Sequence, residues 1–173
     1  MKYKVEITDV PAQHIAVSRF TINRDEIGAG GMPSRIGPAF GAVMQYVSSH
    51  GLAVTGPPIT RYEMHDGTFD VSAGFPVAHE DASTGQVAAT HEPATAGPEA
   101  DEVTVIDLPA THVAKTLHVG RYDTLADAYD AIHHAMEEAG QTLDESVMWE
   151  RYYDDPSVPP ETHRTEVYWP LVG

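Results

Sequence analysis

The stretch DVPAQHIAV, Asp9 to Val17, is written again as DLPATHVAK, Asp107 to Lys115. Asp, Pro, Ala, His and Ala recur in register, 107 − 9 = 98 residues apart, and the Val/Leu and Ile/Val replacements are conservative. A phrase repeated at this distance marks a structural unit that occurs twice, and the flanking sequence bears this out.

In the first copy, a strand-like segment Tyr3–Ile7 runs into Val10-Pro11, and a second apolar segment, His14–Phe20, follows. Gly28-Ala29-Gly30-Gly31 reads as a flexible loop. Phe40, Val43, Met44 and Val47 are spaced at three and four, which predicts a helix from about Arg35 to His50, closed by Gly51. Ile59–Met64 and Phe69–Val77 read as strands joined by an Asp66-Gly67 turn. The second copy keeps the order. Val103–Leu108 leads into Pro109, and His112–Val119 is the next strand. Leu125, Ala128, Tyr129, Ile132 and Met136 form a helical stripe ended by Gly140, and Val147–Tyr153 and Thr165–Val172 close the copy. Phe75-Pro76-Val77 is echoed by Trp169-Pro170-Leu171.

The predicted fold is therefore α+β: a pseudo-twofold duplication of a β-β-α-β-β unit, with antiparallel sheets and one main helix per half. One such unit is small and leaves an apolar sheet face uncovered, whereas two can bury both faces and leave a ligand groove where they meet. The expectation is one domain, residues 1–173, made of repeats at about 1–78 and 102–173. They are joined by a polar linker at about 79–101, rich in Pro, Gly, Ala and Thr.

Composition limits what this domain does. The 173 residues include no cysteine, which removes disulfides and thiolate chemistry and suits a reducing cytoplasm. Twenty-six acidic residues against ten basic ones give a net charge of −16, which repels phosphate backbones and attracts cations, or simply keeps the chain soluble. Direct nucleic-acid binding is not expected. MKYKVEITDV lacks the apolar core of a signal peptide, and no apolar run is long enough to cross a bilayer.

The most informative residues are Trp149-Glu150-Arg151-Tyr152. In a strand, Glu150 and Tyr152 point to one face. A carboxylate among aromatics in a β segment is either paired or used, unless it is an edge-strand group facing water. Thr165-Glu166-Val167-Tyr168-Trp169 poses a related question. Glu166 and Tyr168 share one face, and Thr165, Val167 and Trp169 share the other. Either face could look into a pocket. Tyr62, Tyr122 and Phe75 are further candidates for an aromatic wall, each contributing roughly 0.5–2 kcal/mol toward a cation. A desolvated Glu150 has its carboxyl pKa raised, and a bound cation lowers it again.

Four segments in order, LPATHVA, HVGRYDTLADAYDAI, WERYYDDP and TEVYWPL, resemble the GyrI-like small-molecule-binding domain. This domain is also called the effector-binding domain of bacterial transcription activators. GPAFGAVMQYVSSHGL and FDVSAGFPV of the first half fit as well. The resemblance covers nearly the whole chain except the linker. The first half departs from it at Arg19-Phe20-Thr21 and the Gly-rich loop, where the second has Gly120-Arg121-Tyr122. It implies a central pocket glutamate at Glu150, the Glu of the WE-x-Y pattern, meeting cationic ligands among aromatic walls. It also implies a free-standing member, because the family's regulators carry a DNA-binding domain on the same chain and this chain has no room for one.

A metal site is not expected. His133 and His134 are adjacent on a helix and point apart, no H-x-x-x-H or HE-x-x-H pattern occurs, and His14 and His112 are repeat equivalents with a shared structural role. No cofactor is implied; a related pseudo-symmetric fold binds haem, but no histidine here stands out as an axial ligand. G-x-S-x-G, P-loop and G-x-G-x-x-G motifs are absent. The resemblance to the GyrI-like family implies three candidate functions. The first is a pocket for hydrophobic, cationic or planar molecules, serving as a sensor, a sequestering protein or a resistance factor. The second is a hydrolase of strained electrophiles such as cyclopropane-bearing alkylating agents, with Glu150 as base and Tyr152 positioning the substrate. The third is a protein partner of DNA gyrase or of a regulator.

Overall fold

Pro11 and Pro109 stop the first strand of each repeat, because a prolyl nitrogen has no N–H to give to a ladder. In the computed structural model, which describes residues 3–28, 31–78, 103–154 and 157–172, β1 (Glu6–Val10) and β5 (Val103–Leu108) end just before these prolines. β2 (Gln13–Asn23) and β6 (Thr111–Val119) begin just after them. The remaining α-helices and strands are α1 (Arg24–Gly28), α2 (Gly31–His50), β3 (Ile59–His65), β4 (Thr68–Val77), α3 (Ala126–Ala139), β7 (Val147–Tyr152) and β8 (Arg164–Pro170), with short 3-10 turns at Tyr122–Thr124 and Pro160–Thr162. The α+β duplication predicted from the repeat is observed. The expected linker lies outside the described residues.

The internal contacts group the chain into two units: Met1–Pro11 with Ala110–Gly173, and Ala12–Pro109. The first has strand order β1-β6-β8-β7 and the second β5-β2-β4-β3, with each of these neighbouring pairs antiparallel. The order is the same in both. Each unit takes its edge strand from one repeat and its other three strands from the other.

This exchange explains the repeated phrase. Asp9 stands opposite His112 in the β1–β6 ladder, and Asp107 opposite His14 in the β5–β2 ladder. Each histidine Nδ1–H donates to the facing carboxylate, at 2.6 Å for His112. The phrase thus supplies an aspartate to one unit and a histidine to the other. Both pairs are largely exposed and contribute at most about 1 kcal/mol each; what they fix is register.

The helices pack by their small and branched residues. Ala39, Val43 and Val47 are buried at four-residue spacing, and α2 lies on β2, β4 and β5. Val43, Val47, Ala16 and Val77 form a core against which Leu52, Phe75 and Val103 pack. Helix α2 starts about a turn before the predicted Arg35 and continues through Pro38, which has no N–H to give to the Ser34 carbonyl. The Gly-rich segment predicted as a loop is therefore partly helical, with Gly28 ending α1 and Gly31 opening α2. In the other unit Ala128, Ile132 and Met136 are buried on α3, which packs on β6 and β8. Gly140 caps α3 at φ 70°, where its N–H reaches the Glu137 and Met136 carbonyls; a side chain there is strained. Among the described residues, no helix is long and apolar enough to cross a membrane.

Candidate functional site

The β7–β8 register settles which side chains share a face. Glu150 is opposite Val167 and Tyr152 is opposite Thr165. Cross-strand partners point the same way, so Glu150, Tyr152, Thr165, Val167 and Trp169 lie together. Helix α3 covers this face: Tyr129 and His133 meet the Trp169 ring edge-on at 6.0 and 4.6 Å between centroids. Val167 and Trp169 therefore pack under the helix. Glu150 joins them there.

Glu150 is 2% exposed. The Tyr152 hydroxyl donates to its Oε1 at 2.8 Å, and the Tyr129 hydroxyl, from α3, donates to its Oε2. A carboxylate taken from water costs several kcal/mol unless its oxygens are satisfied, and these phenols satisfy one site on each oxygen. Both of these donors are neutral hydroxyls. Tyr122 extends the cluster, with its ring edge-on to Tyr152 at 5.8 Å. Burial, then the charges of Asp154 and Glu150, pushes the Tyr122 hydroxyl pKa up, so the field of the carboxylate is felt at that ring. At 46% exposed, Tyr122 is also the cluster's solvent edge. The loop after β7 is tied down by Arg164, whose backbone N–H and guanidinium both donate to Asp154, at 2.7 and 3.0 Å to Oδ2.

The other sequence candidates are placed elsewhere. Glu166 and Tyr168 lie on the opposite face of the same strands. There Glu166 accepts from Lys115 at 3.0 Å, from Tyr153 at 2.5 Å and from Tyr168. Trp149 stacks on Tyr168 at 5.5 Å, and Arg151 sits over the Tyr168 ring at 5.3 Å. These contacts give Glu166 a structural role in a polar cluster whose Tyr153 edge is exposed. Burial alone would raise the Glu166 carboxyl; donation from Tyr153, Tyr168 and Lys115 outweighs it and holds the pKa below the ordinary value. A carboxyl depressed in the folded state contributes stability that is present above its unfolded pKa and is lost as pH falls through the folded value. Wild type is therefore expected to lose urea stability below about pH 4, and Glu166→Gln to lose less over the same window. Parallel pH profiles would discard this role for Glu166.

Tyr62 and Phe75 belong to the other unit. Phe75 meets Phe40 of α2 edge-on at 5.7 Å, and Tyr62 stands opposite Val71. Both are repeat equivalents of site residues. Aligning Phe75-Pro76 with Trp169-Pro170 matches Thr60, opposite Ala73, with Glu150, opposite Val167. Tyr62 then matches Tyr152. Counting back from the helix ends, 51 − 40 = 11 and 140 − 129 = 11, so Phe40 matches Tyr129. The duplicated scaffold thus holds Glu150, Tyr129 and Trp169 in one unit and Thr60, Phe40 and Phe75 in the other, and the carboxylate site exists in one copy.

Tyr129 is the residue the sequence reading missed as a site group. It was assigned to the helical stripe and does lie beside it. The available signal was chemical: a tyrosine on a core-facing stripe needs a partner for its hydroxyl, whereas its repeat equivalent is phenylalanine. Among the described residues, no group of three or more histidine, aspartate or glutamate side chains is arranged to hold a metal ion.

Comparison with known proteins agrees with this architecture. Residues 3–172 match the family model of the GyrI-like small-molecule-binding domain. The chain belongs to this family. Similar solved structures include the EcmrR C-terminal domain, at TM-score 0.68 and 20% identity, covering 99% of each chain. SAV2435 bound to tetraphenylphosphonium has TM-score 0.62 and 13% identity over 98% of this chain and 94% of that one. A hydrolase encoded by lin2189 from Listeria innocua has TM-score 0.58 and 16% identity over 98% and 92%. At these identities the likeness is one of fold. No curated protein matches the sequence.

Proposed function

We propose that this domain binds aromatic organic cations at Glu150, reversibly, as a sensor or a sequestering protein. The observation that carries the reading is a carboxylate 2% exposed, held by the neutral hydroxyls of Tyr129 and Tyr152, with Tyr122 as a partly exposed ring beside it. A cation entering there exchanges water for a fixed negative charge in a low dielectric and for aromatic faces. The two phenols occupy the carboxylate meanwhile and release it when a ligand displaces them. SAV2435, of the same fold, was solved with tetraphenylphosphonium, and this supplies a probe of the right chemistry.

Calorimetric titration of the protein with tetraphenylphosphonium and with neutral triphenylphosphine oxide tests the reading. The cation is expected to bind at micromolar concentration, at least tenfold more tightly than the neutral compound, and to be recovered unchanged. Equal or absent binding of both would end it. The hydrolase reading is checked in the same series. A buried carboxylate hydrogen-bonded to tyrosine can activate water, and multiple turnovers of a cyclopropane-bearing electrophile would favour that reading over reversible binding.

A further inference from the structure

We infer that His163 and Thr165 form a second polar subsite next to the Glu150 cluster, one that takes a hydroxyl group of the bound molecule. The inference rests on the reading of Glu150 as the cation site. His163 is 5% exposed, and its Nε2 faces the Val158 carbonyl at 3.2 Å. A carbonyl only accepts, so Nε2 carries the proton, and in the neutral ring Nδ1 is left as an acceptor. That Nδ1 is buried with no hydrogen-bond partner. Thr165 is fully buried, and its Oγ1 also has no hydrogen-bond partner. Leaving one such group unsatisfied is destabilising, and two of them, two residues apart in sequence beside the Tyr122–Tyr152 face, point to a partner that arrives from outside.

The placement agrees. Thr165 stands directly opposite Tyr152, whose hydroxyl is on Glu150. His163 is extended, at φ −63° and ψ 139°, and two residues before Thr165, so both side chains emerge on that face. The Tyr122 ring meets His163 at 4.9 Å and Tyr152 at 5.8 Å, and is therefore a wall common to both places. His118, opposite Thr165 on the other side, offers a contrast: its Nδ1 takes the Tyr3 hydroxyl at 2.7 Å and its Nε2 reaches the Arg121 carbonyl at 3.0 Å, so it is already engaged.

The pair selects a functional group. A hydroxyl donates its proton to His163 Nδ1 and accepts the Thr165 hydroxyl proton at the same oxygen. An ammonium cannot accept, and a carbonyl or ether cannot donate. The ligand class is accordingly an aromatic cation that also carries a phenol or alcohol.

The test is calorimetric titration of the protein with tetraphenylphosphonium and its mono-3-hydroxyphenyl and mono-4-hydroxyphenyl analogues. Wild type, His163→Phe and Thr165→Val are compared. At least one hydroxylated probe is expected to bind wild type about tenfold more tightly than the parent. Each substitution should cut that advantage to less than about threefold while leaving parent affinity within about twofold. Thr165→Val is nearly isosteric and covers the case in which His163→Phe misfolds. The His163 ring nitrogen resonances should also shift with the hydroxylated probe and not with the parent. Equal binding of all three probes to wild type, as when a water molecule fills the pair, overturns the subsite and leaves the cation site standing. So does an advantage that survives both substitutions. Binding of none of the three overturns the Glu150 reading, and the subsite falls with it.

Discussion

Glu150→Gln is expected to weaken tetraphenylphosphonium binding roughly 10- to 100-fold and to change the affinity for neutral triphenylphosphine oxide less than about threefold. The glutamine keeps the volume and one acceptor oxygen of a side chain that is 2% exposed, so packing against Val167 and under α3 survives. What disappears is the charge, and a charge-assisted contact contributes about 1.5–3 kcal/mol, at about 1.4 kcal/mol per factor of ten. The amide also presents an NH2 where the carboxylate accepted, so one of the two phenols, Tyr129 or Tyr152, must reverse its hydroxyl or leave. If the protein turns over an electrophile, the same substitution removes a base that acts in the transition state. The rate should then fall about 100- to 10,000-fold with little change in substrate affinity. Titration of both ligands, with turnover followed in parallel, separates these outcomes. A variant that binds the cation as wild type does would reduce Glu150 to a structural carboxylate.

Gly74→Ala is expected to destabilise the fold by about 3 kcal/mol or more, a large share of the roughly 5–15 kcal/mol typical of a domain. A Cβ at Gly74 would stand 1.8 Å from the Ala16 carbonyl oxygen and 2.9 Å from the Val17 Cα. Val17 is its direct partner in the β2–β4 ladder. These are backbone atoms of a paired strand and cannot swing aside as a side-chain tip does, so relief requires β2 and β4 to move apart. That movement would disturb the core of Ala16, Val43, Val47 and Val77. Gly41→Ala is the control: it is an exposed helical glycine at which a Cβ meets nothing within 4 Å beyond its chain neighbours and the helix's own backbone, and alanine there should stabilise by up to about 1 kcal/mol. Urea unfolding of both variants against wild type measures the difference. A Gly74→Ala midpoint near that of wild type would show that the strands have more room than the geometry allows.

Much of the fold is local information and was readable as such. The repeat of Asp9–Val17 at Asp107–Lys115, the helical stripe ending at Gly140 and the Asp66-Gly67 turn depend on residues close in sequence, and the predicted elements appear there. The boundaries moved where pairing, a non-local event, decides them. The strand expected at Tyr3–Ile7 is found at Glu6–Val10, because those residues face Lys115 to Thr111. The start of α2 moved from Arg35 to Gly31, since glycine and proline lower helix propensity without forbidding the first turns.

The candidate site divides in the same way. Period-two alternation placed Glu150 and Tyr152 on one face, and the flanking aromatics marked that face as unusual. Alternation alone could not say that Glu166 and Tyr168 lie on the other side, because that depends on the register between β7 and β8. It could not bring Tyr129 from α3 to the carboxylate, leave His163 Nδ1 without a partner, or show that Thr60 occupies the matching place in the other unit. The sequence by itself determined the duplication, the element order and the glutamate with its nearest tyrosine, since these follow from periodicities of two, 3.6 and 98 residues along one chain. The tertiary structure alone decided that the first strands are exchanged between units and that one repeat carries a buried carboxylate where the other carries a threonine, because strand pairing and helix packing join residues whose separation in sequence encodes nothing about their distance in space.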